Sequence, residues 1–218
     1  MTPYSDMKPQ AARQTLFETP IAQVNFQGGE AFLADMRKVV LDKQLEDPKG
    51  VGRSNVGGWH SDVDMMKWGG APAQKLADTA IAVAKRMSSF PGANHDDYHW
   101  LCQMWANVSD SGASNHLHMH PGNLWSGACY IDMGGAEDNP DLGGAFYFED
   151  PRFPLINMHN TRFRFAGADG APMQLMPEVR PKAGEMLMFP AWLRHGVKPY
   201  HGDGLRISVA FNIDAVPK

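Results

Sequence analysis

Cysteine is nearly absent: Cys102 and Cys129 are the only two in 218 residues. So few exclude a disulfide framework and a thiolate zinc site, and they fit a reducing compartment, so the cytoplasm is expected. No apolar stretch approaches the roughly 20 residues that a membrane span needs. Residues Met1 to Thr15 are polar and lack the apolar stretch of a secretory leader, so none is expected. Runs of Lys or Arg are missing too, and the formal net charge is −4, so nucleic acid is not expected as a partner. No repeat, low-complexity tract or linker interrupts the chain, which reads as one domain over 1–218.

Histidine is what the chain has in excess. There are 9, and His116, His118 and His120 fall within five positions. Around them the texture changes along the chain. In the first part, roughly 1–95, loose alternation over Leu16 to Asn25 predicts a strand. Apolar Phe32, Leu33, Met36, Val39 and Val40 recur at helical spacing over Glu30 to Lys43, with Asp47-Pro48-Lys49-Gly50 as the stop. Pro72 to Met87 repeats the pattern with Leu76, Ile81, Ala84 and Met87 and closes at Pro91-Gly92. From about 96 onward, short aromatic and branched runs alternate with Gly, Pro and Asp turns. Strands are expected near 99–107, 114–120, 124–132, 144–149, 162–166, 185–189, 195–198 and 205–213. This spacing predicts a mainly β jelly roll, with the helices packed outside one sheet.

In a strand, residues two apart share a face. His118 and His120 are therefore expected to project into one space, with Met119 pointing away and His116 able to join them. Neutral imidazole suits iron, zinc or copper. His195 is the expected third ligand, carried back to the pair by the pairing of distant strands. In Leu205-Arg206-Ile207-Ser208-Val209, Arg206 and Ser208 share one face and the apolar residues the other. If that face is interior, the guanidinium needs a partner, and no acid alternates with it. A bound carboxylate would serve, gripped by the guanidinium fork with help from the Ser208 hydroxyl. Asp203-Gly204 signals a hairpin, which would set His195 and Arg206 on adjacent strands.

The order H-x-H, distal His, R-x-S resembles the 2-oxoglutarate/Fe(II) oxygenase superfamily. The likeness extends through His118-Met119-His120-Pro121, Ser126-Gly127-Ala128-Cys129-Tyr130, the glycine-led Gly143-Gly144-Ala145-Phe146-Tyr147-Phe148, and Ala183-Gly184-Glu185 through Pro190 with Trp192. It ends at Phe211-Asn212 and begins with Phe17-Glu18-Thr19-Pro20 and Gly57-Gly58-Trp59-His60-Ser61. The chain resembles a bacterial and phage-borne branch of that superfamily with H-x-H-P.

The resemblance implies a double-stranded β-helix that binds Fe(II) through His118, His120 and His195. It further implies that 2-oxoglutarate is held by Arg206 and Ser208, and that a substrate is hydroxylated as succinate and CO₂ are released. Asn107, Trp105, Asn123 and Tyr130 are the expected pocket residues. One departure matters: the superfamily usually carries H-x-D/E, so His120 occupies a carboxylate slot. Either His120 ligates, or water or chloride fills the slot, or Glu149 or Asp150 swings in. His60-Ser61-Asp62 is a rival H-x-D; Trp59 and His60 are expected behind the ligands or facing substrate.

Two other classes remain open on the residues alone: a three-His dioxygenase of cupin type without a keto acid, and a binding module with an incidental metal. The substrate, small molecule or peptide, is not written in the sequence. A homodimer is compatible with it.

Overall fold

The computed structural model describes residues 7–218; residues 1–6, part of the polar stretch noted above, lie outside it. In chain order the first part runs β1 (Ala22–Asn25), α1 (Glu30–Glu46), β2 (Asn55–Val56), β3 (Trp59–His60), α2 (Met65–Trp68) and α3 (Gly70–Met87). The second part runs β4 (Tyr98–Ser109), β5 (Ser114–His118), β6 (Trp125–Met133), β7 (Phe146–Phe148), β8 (Glu178–Val179), β9 (Glu185–Pro190), β10 (His195–Val197) and β11 (Arg206–Pro217). The strands form two antiparallel sheets, one of six in the order β1-β9-β6-β11-β4-β3 and one of five in the order β2-β5-β10-β7-β8. Mainly β with flanking helices, this is the expected jelly-roll architecture, with the two sheets facing rather than closed into a barrel.

The central strands of the larger sheet are buried on both faces, and on β11 apolar residues toward the helices alternate with Arg206, Ser208 and Asn212 on the other face. On β11, Ile207, Val209, Phe211 and Ile213 face a core shared with Met36 and Val40 of α1 and Leu76, Ala77, Ala80 and Ala84 of α3. On β9, Met186 and Met188 join that core, while Leu187 and Phe189 point to the other face. There, between the sheets, they meet Tyr130, Phe146, Phe148 and Leu193. Each such side chain removed from water contributes about 1.5–3 kcal/mol. The helices thus cover the outer face of the larger sheet, and its inner face is left for the site.

Three expectations need correcting. Residues 162–166 form no strand; a single bridge from Ala166 to Pro172 is all the pairing there, and Phe163 and Phe165 stay partly exposed. The first strand is Ala22–Asn25, because Leu16 and Phe17 lie exposed before Pro20. Asp203-Gly204 does not close a hairpin. β10 pairs with β5 and β7, whereas β11 pairs with β4 and β6, so residues 198–205 cross from one sheet to the other.

Candidate metal centre and anion pocket

His118 ends β5 and His195 opens β10, and the two are direct partners in the antiparallel ladder. His120 lies just past β5, where its backbone N–H donates to the Ala191 carbonyl at 2.9 Å. The ligand atoms of these three imidazoles all lie within 4.8 Å of one another. Ring centroids are 4.4 Å apart for His118 and His195, 4.9 Å for His118 and His120, and 5.2 Å for His120 and His195. Phe189 and Phe146 flank His195 at 4.6 and 5.4 Å.

His116 does not join them; it is exposed. The reason is a bulge. Between the partners His195–His118 and Val197–Asn115, β5 uses one residue more than β10. An extra residue inverts the side-chain alternation. Asn115 and His118, three apart, therefore line the same cavity.

Backbone carbonyls fix two of the rings. The Nδ1 of His118 bonds the His116 carbonyl at 2.7 Å, and the Nδ1 of His195 bonds the Leu193 carbonyl at 2.8 Å. A carbonyl only accepts, so each Nδ1 carries the proton and each Nε2 offers a lone pair. The hydroxyl oxygen of Ser54 sits 3.4 Å from His118 Nε2. Burial lowers all three pKa values, to about 3 for His195 and about 4 for His120, where the neighbouring His118 adds a smaller push in the same direction. At neutral pH the cluster is uncharged, the form that binds a metal.

On the facing sheet, Arg206, Ser208 and Ala210 of β11 line the same cavity. His195 and Arg206 therefore meet across the sandwich, not along one sheet. Arg206 is 2% exposed, and its Nε and one terminal nitrogen have no hydrogen-bond partner among the described residues. Its guanidinium lies 5.5 Å from the centre of the Tyr130 ring, whose buried hydroxyl is also without a partner. Among the described residues no carboxylate lines the cavity, so none of them compensates the cation. Burial lowers the pKa of Arg206 and raises that of Tyr130. Gly144 leaves room for the side chain: at φ +67°, a Cβ there would lie 3.2 Å from Arg206 Cδ.

Other expected residues divide. Trp105, Asn107 and Tyr130 line the cavity, joined by Ser126, which was not expected there; Asn123 does not. Glu149 is paired with Arg194, and Asp150 with Arg152 at 2.7 Å, and neither stands among the clustered histidines. His60 is buried behind Trp105, ring centroids 5.9 Å apart. Trp59 faces the helix-side core, and its indole N–H donates to the Asp47 carbonyl at 2.7 Å. Ser54 and Asn115 line the cavity unforeseen. Asn115 is one residue before His116, and only the bulge, invisible in composition, turns it inward.

Residues 103–212 match the family model for 2OG-Fe(II) oxygenases, and the chain belongs to that family. It is accordingly an oxidoreductase that works with Fe(II) and 2-oxoglutarate. No curated protein matches it in sequence. Among solved structures it is similar to a prolyl hydroxylase from Trichoplax adhaerens in complex with a hypoxia-inducible-factor peptide fragment (13% identity, TM-score 0.62, 89% of this chain and 83% of that one). It is similar also to a prolyl-4-hydroxylase from Pseudomonas putida (15%, 0.58, 89% and 91%). A third is HygX from Streptomyces hygroscopicus with nickel and 2-oxoglutarate bound (14%, 0.57, 90% and 83%). These likenesses concern the fold. Among the described residues, no helix is long and apolar enough to cross a membrane.

Proposed function

We propose that His118, His120 and His195 hold Fe(II) and that Arg206, with Ser208, anchors the far carboxylate of 2-oxoglutarate. One observation carries the reading: a buried, unpartnered guanidinium opens into the same cavity as three neutral, convergent imidazoles. The donor set fits the metal, since His118 and His195 already present Nε2 lone pairs. The pocket fits the diacid, since its one cation lacks an anion and a carboxylate matches the guanidinium fork. Fe(II) bound there supplies dioxygen activation coupled to conversion of 2-oxoglutarate into succinate and CO₂.

The residues supply placement. Arg206 fixes one end of the diacid, so its keto-acid end is directed at the histidines. Asn107, Tyr130 and Ser126 offer polar groups along the way. Phe146 and Phe189 keep water from His195 and strengthen electrostatics inside the cavity. The three-imidazole set carries no negative charge, so a bound divalent ion keeps its full charge. The product follows from oxidation of a substrate C–H bond, hydroxylation being the simplest outcome. The substrate is a small molecule or a peptide, the working compartment the cytoplasm, and residues 1–218 act as one domain, free or as a homodimer.

The test is aerobic incubation of purified protein with Fe(II) and 2-oxoglutarate, following succinate. Wild type forms it; His118→Ala and His195→Ala form none. Metal-dependent oxidation without 2-oxoglutarate consumption would move the protein to the keto-acid-independent class, and equal turnover in either variant would remove that histidine from the centre.

A further inference from the structure

The three imidazoles differ in how they are held. His118 and His195 each donate Nδ1–H to a carbonyl two residues earlier in the chain. Their tautomers and ring rotations are set before any ion arrives. Neither ring nitrogen of His120 has a hydrogen-bond partner among the described residues. Its ring rests instead against Trp105, with centroids 5.6 Å apart and planes inclined by 42°.

Trp105 is itself braced. It is 7% exposed, and His60 lies behind it nearly parallel, 5.9 Å away and inclined by 13°. His60 is fixed by donating Nδ1–H to the Ser61 carbonyl. Ser61 is tied to the residue after Trp105: its N–H donates to the Ala106 carbonyl at 3.0 Å, and the Ala106 N–H donates to the Ser61 hydroxyl at 2.9 Å. Trp105 is therefore paired both with His60, at the β3–β4 edge of the larger sheet, and with His120 of the histidine cluster.

Building on the three-imidazole reading, we propose that Trp105, backed by His60, is the positioning residue for His120, and that His120 is the most easily released of the three. A packed aromatic face limits where an imidazole can lie, but it does not hold a proton on a chosen nitrogen. The carbonyl tethers do both. His120 thus pays its own ordering on binding a metal, and it can let go without breaking a hydrogen bond. Position 120 is also where the superfamily pattern has a carboxylate, so the looser grip falls at the slot where this chain departs from its relatives.

Co(II) is a suitable probe. Titration followed by visible absorption gives affinity, and proton NMR of the Co(II)-loaded protein in water displays the N–H protons of bound imidazoles as strongly shifted signals. Two such signals, those of His118 and His195, should exchange slowly with solvent, and the third should be broadened or absent. Trp105→Ala should weaken Co(II) binding about tenfold while keeping both slow signals, and Trp105→Phe should return within about threefold of wild type. Three equally protected signals would overturn the inequality, and so would a Trp105→Ala variant that binds Co(II) as wild type does. Should Trp105→Ala not fold, the wild-type spectrum alone decides. His118→Ala separates the two levels: if it binds Co(II) as tightly as wild type, the three-imidazole reading itself fails. If His118→Ala weakens binding and Trp105→Ala does not, only the present inference fails.

Discussion

Replacing Arg206 by Met should make the ligand-free protein more stable and its hold on 2-oxoglutarate much weaker. The two effects have opposite sign because the same charge causes both. In the free protein the guanidinium is 2% exposed, and among the described residues two of its nitrogens have no partner and no carboxylate lines the cavity. Keeping an ion in such a place costs several kcal/mol, and exchange for an apolar side chain of similar size typically returns about 1–4 kcal/mol. For a chain of this length each kcal/mol moves Tm by about 2–4 °C, so a rise of at least a few degrees is expected. With the diacid present the charge is paired, and deleting it costs about 2–5 kcal/mol. That is a loss of about 30- to 5,000-fold in affinity. Thermal unfolding of the Ni(II)-loaded protein with and without 2-oxoglutarate, combined with anaerobic calorimetry, reads both quantities. A Met variant that is markedly less stable yet binds 2-oxoglutarate unchanged would show that Arg206 is a structural cation and that the anion site lies elsewhere.

Acid should destabilise the metal-free protein well before its carboxylates titrate. Folding holds His195 to about 3 and His120 to about 4, while unfolded histidine titrates near 6.5, so the unfolded chain binds more protons between those values. The contribution is complete above about pH 6.5 and is lost as pH falls toward 4; urea midpoints that stay level from pH 7 to 4.5 would contradict this. Gly144→Ala should cost about 1–2 kcal/mol from its left-handed backbone alone, and crowding of the Arg206 side chain should weaken 2-oxoglutarate binding as well. An unchanged Kd for 2-oxoglutarate in that variant would mean Arg206 can shift without loss.

The part of the site carried by β11 was legible because its signal is local. Arg206 and Ser208 alternate with Ile207 and Val209, and the structure keeps that alternation, with one face to the cavity and one to the helices. The convergence of His118, His120 and His195 was legible because the spacing puts residues two apart near a strand end on one face and a jelly roll pairs distant strands. What was not legible depends on partners. Arg162-Phe163-Arg164-Phe165 alternates like a strand but finds no ladder beyond one bridge. The crossing at 198–205 looks like a hairpin because Asp203-Gly204 satisfies the local rule, while the choice of sheet is made by β4, β6, β5 and β7. Trp105 reads as any core aromatic until its ring contacts with both His60 and His120 are seen.

The irregularity in β5 makes the histidine cluster sensitive to chain length in a way that no substitution of its histidines reveals. Removing either His116 or Leu117 would leave every histidine of the cluster in the protein and the ladder between β5 and β10 able to run evenly. It would also rotate one end of that ladder by half a turn, so that His118 and Asn115 could no longer look into the same space. Alignments that slip a gap through 115–118 would misplace His118 for the same reason, and a designer grafting this cluster onto another sandwich would have to carry the surplus residue along with the histidines.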